Sequence, residues 1–380
     1  MSKSNEKRFI YDVIIDEENI CDRKKEIAFL RKAAKGKKRT VLLAPRRYGK
    51  TSLIKNVIGK EALRYRPKRI VISVDFMSVS SLRGVAARLN HGIAKGLTQS
   101  FSAASLVEQA STLLKQFSMG VDINPLTGTP SLKIDLSAAK EEESIIKLCD
   151  AMIEMDKHKS LVLILDEFQD IALVSEAEGL LRFMLQNLQN SAVFILGSKK
   201  HLMERMFGNS KAPLFGYGDE LTLGPIPLEA WEPYFDERLA FTGATITNAG
   251  LKYLLERMCD VPNAICELGA WLQDQFAGKK IDVVDVERSL DQMVEKKQSF
   301  AYRLSGMNTT QRELLWNISL HRFVSKPTGK DFVVQSRLSK STISHTLGQL
   351  LDMGLVEHEA ERGWRLSDPI LAHYLANGQL

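Results

Sequence analysis

The sequence predicts an α/β fold: a parallel sheet with helices on both faces, then a helical segment and a small helix-and-hairpin unit. Three observations lead there. Residues 41–54 read VLLAPRRYGKTSLI, an apolar run opening into a loop that ends Gly49-Lys50-Thr51 before a helical pattern. Residues 161–165 are five consecutive apolar residues closed by Asp166-Glu167, as expected of a strand buried on both faces of a parallel sheet. Finally, strand-like and helix-like stretches alternate over about the first 280 residues, the pattern a parallel sheet requires.

Taken in order, Arg39–Leu43 is the first strand and Thr51–Ile58 begins the helix after it. Residues 69–76 form the next strand, ending in Asp75. Ser81–Gln99 reads as a helix, since Leu82, Val85, Leu89 and Ile93 recur close to helical spacing. Residues 103–118 look like a further amphipathic helix. A hairpin within 119–138 follows, with apolar and polar residues alternating around NPLTGTPS. Lys140–Asp156 is a helix leading into the Asp-Glu strand, and Ala192–Leu196 is a fourth strand. Residues 226–300 lose the strand signal and read as helices, among them a long amphipathic one at Ile281–Lys297. In residues 301–380, Thr309–Ser319 reads as a helix. Leu338–Met353 reads as another, with Ser339 as N-cap and Ile343, Leu347, Leu350 and Leu351 on one face. Two short strands close the unit, at Leu355–Glu359 and Gly363–Leu366. Helix-turn-helix followed by a hairpin is the winged-helix pattern. The expected division is therefore 1–225, 226–300 and 301–380.

The loop of residues 44–51 is a P-loop, A-x-x-x-x-G-K-T. Backbone N–H groups of Ala44, Pro45's neighbours Arg46, Arg47 and Tyr48, Gly49, Lys50, Thr51 and Ser52 form the phosphate cradle. Lys50 reaches the β- and γ-phosphates, and Thr51 offers its hydroxyl to Mg²⁺. Ala44 stands where glycine is usual, so the turn there must do without positive φ. Asp166 and Glu167, about 115 residues on, sit at the carboxyl end of a strand, where ligands bind in open α/β sheets. Asp166 would hold the Mg²⁺ hydration shell and Glu167 would polarise an attacking water.

Composition is that of an ordinary globular chain, 44% hydrophobic and 26% charged over 380 residues. No apolar run approaches the roughly 18 residues needed to span a bilayer. The start, MSKSNEKRFIYDVIID, lacks the apolar core of a secretory signal. Cys21, Cys149, Cys259 and Cys266 have no metal-ligand spacing, so a reducing, cytoplasmic setting is expected. The net charge of +6 is compatible with nucleic-acid binding. Basic residues concentrate at 23–25, 31–39 and 64–69, close to the P-loop in sequence, which equally suits a solvated surface beside a phosphate site.

These motifs together resemble the archaeal-type P-loop ATPases, an AAA+/STAND-like family of archaea and many bacteria. Cys21-Asp-Arg-Lys-Lys-Glu-Ile is similar to the box that precedes the family's P-loop. PRRYGKTSL, LILDEFQDI and ILGSKKHLMERMF look like its core motifs, and Leu366-Ser-Asp-Pro-Ile like its ending. The resemblance covers nearly the whole chain. It implies ATP as the nucleotide, Arg23 beside the adenine, and Ser198 at a sensor position. Two stretches depart from the pattern. Phe215-Gly-Tyr-Gly218 lacks the family's arginine after the sensor helix, and Cys259-Asp-Val-Pro262 with Asn263 offers no sensor arginine. Arg205 and Lys211 are replacement candidates. The resemblance further implies a nucleotide-dependent homo-oligomer. Two functions stand: an ATPase whose nucleotide state governs contact with double-stranded DNA through Arg337–His345, or a nucleotide switch acting on a partner protein. The basic start of Arg337-Leu-Ser-Lys-Ser-Thr-Ile-Ser-His345 favours the first; the acidic wing Glu357–Glu361 favours the second.

Overall fold

The structure, a computed structural model, describes residues 8–100, 119–123, 130–134, 141–297 and 299–378. The helix expected at 103–118 lies outside the described residues. The chain forms two compact units. One comprises Ile14–Pro45 and Gly49–Gly224; the other gathers the segment up to Val13, Arg46–Tyr48 and the chain from Pro225 onward.

In the first unit, helix α1 (Lys24–Lys35) leads into strand β1 (Arg39–Leu43). Helix α2 follows the P-loop, wider-wound over Ser52–Gly59 and α-helical over Lys60–Ala62. Strand β2 (Ile70–Asp75) and helix α3 (Leu82–Ser100) come next, then an antiparallel pair, β3 (Met119–Ile123) and β4 (Pro130–Ile134). Helix α4 (Glu141–His158) leads into β5 (Leu161–Asp166), α5 (Ala177–Asn187) into β6 (Ala192–Gly197), and α6 (Lys200–Met203) precedes β7 (Asp219–Thr222). The five-stranded sheet runs β2-β5-β6-β1-β7 and every pair in it is parallel. Every residue of β5 and β6 is buried, which is why those strands read as unbroken apolar runs. The fifth strand, β7, was not foreseen. Its sequence Asp-Glu-Leu-Thr has no apolar run because β7 is an edge strand, paired only to β1 and largely exposed.

The direction of the strands places two features apart. All five carboxyl ends lie along one edge, so the P-loop after β1, Asp166 at the end of β5 and Ser198 after β6 share it. The basic stretches at 35–39 and 64–69 precede β1 and β2 and therefore mark the opposite edge, about 16 Å away at about 3.3 Å per residue. The sequence placed them beside the P-loop; the sheet separates them from it.

In the second unit, helix α7 (Leu228–Ala240) is followed by β8 (Thr245–Ile246), α8 (Asn248–Arg257), α9 (Pro262–Gln275), β9 (Lys280–Ile281) and α10 (Val283–Glu295). β8 and β9 pair in parallel, which corrects the all-helical reading of 226–300: two-residue strands are too short to leave a periodic signal. Asp282 caps α10 in a reciprocal capping box with Asp285. Helices α11 (Ser299–Ser305), α12 (Thr309–Ser319), α13 (Lys330–Ser336) and α14 (Lys340–Asp352) lead to the hairpin of β10 (Val356–Glu359) and β11 (Gly363–Leu366), and α15 (Pro369–Ala376) closes the unit. Ser339 accepts the Thr342 N–H, as expected of an N-cap. Gly354, at φ +70°, ends the segment after α14.

Candidate nucleotide site

The candidate site of the first unit is built at the carboxyl edge of the sheet. Lys50 and Thr51 stand at the start of α2, Asp166 and Glu167 at the end of β5, and Ser198 just past β6, which lies between β5 and β1. Lys50 Nζ is 2.7 Å from Glu167 Oε1, and both side chains are largely enclosed. Thr51 Oγ1 donates to Asp166 Oδ2 at 3.1 Å. Lys55, one turn further along α2, pairs with the same oxygen at 3.1 Å. The remaining oxygen of Glu167 accepts from Ser198 Oγ at 2.7 Å and from Gln169 Nε2 at 2.6 Å. Gln169 is fully buried and also accepts the Ser198 N–H through its own Oε1 at 3.2 Å.

The electrostatics of Glu167 follow from these partners. Burial alone would raise its pKa. The Lys50 ammonium and hydrogen bonds from Lys50, Gln169 and Ser198 outweigh burial and bring it down to about 2. Its backbone is held at φ +49°, in the left-handed region a non-glycine residue rarely adopts. Strain of this kind is often stored at functional sites.

The P-loop's own geometry explains its sequence. Gly49 adopts φ +83° and Arg47 φ +66°, whereas Ala44 has no positive φ. The usual first glycine is therefore dispensable in this loop. Ala44 N–H donates to Gly197 O, and Ser52 Oγ accepts the Ile15 N–H at 3.2 Å. Pro45 is half-buried.

Arg46–Tyr48 make their contacts within the second unit. Arg47 Nη1 donates to Asp368 Oδ2 at 3.1 Å, and Arg303 donates to the same oxygen at 2.9 Å. The Arg46 N–H donates to Glu357 Oε1 at 3.3 Å. Tyr48 is buried, and burial pushes its hydroxyl up to about 12.

Arg23, at φ +68° and 3% exposed, pairs with Glu26 and donates to the carbonyl of Gly224 at 2.6 Å. Its guanidinium is thus engaged by the fold. Arg205 is exposed and reaches the Ala172 carbonyl at 3.5 Å, and Lys211 is exposed. In Phe215–Gly218, Tyr217 lies under Arg39 and donates to the Leu185 carbonyl. In the second unit, Asn263 exchanges hydrogen bonds with Asp12. All four cysteines are buried thiols without a disulfide. Lys55 and Gln169 were missed in the sequence. Their signals were present: Lys55 follows Thr51 by one helical turn, and Gln169 follows Glu167 by two residues.

The exposed face of α14 carries Lys340, Ser341, Ser344 and His345, with Arg337 just before it. The acidity read from the wing is compensated in part. Arg365, buried, pairs with Glu357 and Glu359 at 2.7 Å each, and Arg362 pairs with Glu359 and Asp260. Among the described residues, no three His, Cys, Asp or Glu side chains form a metal cluster, and no helix is long and apolar enough to cross a membrane.

Comparison with known proteins agrees with this architecture. Residues 298–377 match the family described as a probable winged helix domain. No curated protein matches the sequence. Among solved structures, the fold is similar to a Walker-type ATPase of Pyrococcus abyssi, with TM-score 0.62 and 16% identity over 97% of this chain and 99% of that one. It is also similar to the Aeropyrum pernix ORC1 protein in complex with DNA, with TM-score 0.52 and 12% identity over 97% and 95% of the two chains. The Aeropyrum pernix ORC2 protein, described in ADPNP and ADP complexes, gives 0.51 and 13% over 97% and 96%. The chain thus has the fold of the archaeal Walker-type ATPases, ending in a winged helix.

Proposed function

We propose that the protein binds and hydrolyses Mg·ATP and couples its nucleotide state to contact with double-stranded DNA. The observation that carries the reading is the convergence of Lys50, Thr51, Asp166, Glu167 and Ser198 at one edge of the sheet. Thr51 and Asp166 are hard oxygen donors that meet at 3.1 Å, which suits Mg²⁺ held by the threonine hydroxyl and, through water, by the carboxylate. The ion would neutralise charge on the phosphate oxygens when bound.

The residues themselves divide the work. Lys50 is held by Glu167, and phosphate oxygens would compete for the same ammonium. Drawing Lys50 away removes the charge that holds Glu167 down, so the carboxylate gains basicity as the γ-phosphate arrives. Gln169 and Ser198 keep it aimed while it orients a water. Arg205 and Lys211 are exposed and can complete a neighbouring subunit's site in a nucleotide-dependent homo-oligomer. Lacking such a cation, one copy alone should turn over slowly, since an arginine finger contributes about 10³–10⁵ in rate.

The DNA reading rests on Arg337, Lys340 and the exposed polar start of α14, and is supported by the similar fold of the Aeropyrum pernix ORC1 protein, whose structure is a complex with DNA. With Glu357 and Glu359 paired to arginines, the wing presents less repulsion to phosphates than its sequence suggests. The test has two parts. Lys50→Ala should abolish ATP binding, and Glu167→Gln should bind ATP with turnover reduced by about 10²–10⁴. Parent-like hydrolysis by Glu167→Gln would remove the assignment. For DNA, Arg337→Glu with Lys340→Glu should weaken binding of random-sequence duplex and lower the log–log salt slope by about 0.9 per lost contact. An unchanged slope favours the switch acting on a partner protein.

A further inference from the structure

The edge of the sheet opposite the nucleotide site is strongly basic. The residues leading into β1 (Lys35–Arg39), β2 (Arg64–Arg69) and β5 (Lys157–Lys159) hold ten Lys and Arg and no Asp or Glu. Because β1, β2 and β5 are parallel members of one sheet, these segments line up along its amino edge. Lys35, Lys37, Lys38, Arg64, Arg66, Lys68, Lys157 and Lys159 are exposed. Beside β1 the edge also opens a hollow of about 490 Å³ lined by Lys37, Lys38, Arg39, Gln189, Gly218 and Asp219.

A structural role accounts for part of this charge. Arg69 donates to the carbonyls of Ala34 and Lys35, the last of α1. Lys157 and His158 sit in the last turn of α4. Cations belong at helix carboxyl ends, but each end carries only about −0.5 of a charge. The four helices that lead into β1, β2, β5 and β6 thus supply about −2 against ten positive charges. Of the nearby carboxylates, Asp156 accepts the N–H groups of Gln189 and Asn190, whereas Glu154 pairs with Lys157 and His158 and Asp219 faces Lys38, which leaves eight of the ten cations without a carboxylate partner among the described residues. The excess is left for a polyanion.

We infer that this amino edge is a second surface for duplex nucleic acid, gripping the phosphate backbone independently of the winged helix. Its span fits. β1 and β2 are separated by β6 and β5, so their basic segments lie about 14 Å apart at about 4.8 Å per strand spacing. That is close to the ~12 Å width of the B-form major groove, so each segment meets a different backbone strand. The hollow beside β1, lined by Lys37, Lys38 and Arg39, would take one phosphate once Lys38 leaves Asp219, its partner at 3.7 Å. Contacts of this kind are non-specific and salt-dependent.

The test uses the full chain with a fluorescent random-sequence duplex across a salt series. The edge variant carries Lys37→Glu, Lys38→Glu, Arg66→Glu and Lys68→Glu; a second variant carries Arg337→Glu and Lys340→Glu. Fluorescent ATP binding and a melting curve check that both fold. We expect the edge variant to bind duplex at least about tenfold more weakly at moderate salt, its log–log slope reduced by about 0.9 for each contact removed. Parent-like affinity and slope in the edge variant overturn the inference, whatever the second variant does. Loss in the second variant alone leaves only the winged-helix reading standing. No duplex binding by the parent overturns both, and so does a parent that takes up phosphatidylserine vesicles but no duplex.

Discussion

Glu167 is a residue whose properties are set by neighbours two and thirty-one positions away, Gln169 and Ser198, as much as by its place in the Asp-Glu motif. Gln169 bridges the two, donating to Glu167 and accepting from the Ser198 backbone, at zero exposure. Gln169→Leu keeps the volume and removes both bonds. A hydrogen bond to a charged group contributes about 1.5–3 kcal/mol, so turnover should fall by roughly ten- to a hundredfold while ATP affinity holds, since Lys50 and Thr51 are untouched. Equal losses in turnover and affinity in steady-state kinetics would reassign Gln169 to folding of the site. At the same scale, His373 is a titrating group with defined partners. Arg257 donates to its Nδ1 at 2.6 Å, so Nε2 carries the proton given to Asp291 at 2.7 Å. Burial, reinforced by Arg257, lowers its pKa below 6.5 despite Asp291. The unfolded chain therefore binds the proton more readily. The contribution is fully present above about pH 6.5 and is lost as pH falls through it. Melting curves should shift downward between about pH 7.5 and about pH 5.5, and His373→Gln should flatten that part of the dependence. An equal slope in the variant would assign it to other groups.

Two glycines decide how α3 lies on β2. A Cβ on Gly96 would come within 2.6 Å of the Val71 carbonyl oxygen, and one on Gly92 within 2.7 Å of Val74 and 2.9 Å of the Ser73 carbonyl. Alanine would add about 1 kcal/mol of helix propensity at such a position. A rigid strand backbone at that distance cannot move aside, and overpacking costs about 1–3 kcal/mol or more. Gly96→Ala should therefore destabilise. Gly348, inside α14, has no atom within 4 Å of where its Cβ would stand. There the propensity term acts alone, and Gly348→Ala should stabilise by up to about 1 kcal/mol. Urea denaturation of the two variants should move in opposite directions; stabilisation by Gly96→Ala would mean that the helix–strand approach is looser than the distances require, and destabilisation by Gly348→Ala would remove the propensity argument there.

For the whole molecule, nucleotide acts as a ligand of the folded state. At a hundred times Kd it should add about 2.7 kcal/mol of stability, read as a rise in melting temperature with Mg·ATP. Lys50→Ala should melt at the same temperature with and without ATP. A retained shift would place the binding energy elsewhere on the protein.

The sequence by itself determined the parallel α/β core, its P-loop and Asp-Glu strand, and a helix-turn-helix with a hairpin at the end. These features are local. A strand buried on both faces must be continuously apolar, and a phosphate loop must contain its own glycine, lysine and threonine. The tertiary structure alone decided the rest, because the rest depends on residues distant in the chain. The edge strand Asp219–Thr222 exists only because β1 offers it hydrogen bonds. The pair β8 and β9 joins dipeptides 35 residues apart. Arg365 pairs with two of the three glutamates of a wing that reads as acidic in order. The basic stretches at 35–39 and 64–69, neighbours of the P-loop in sequence, are carried to the far edge of the sheet because a parallel strand separates its two ends by its full length.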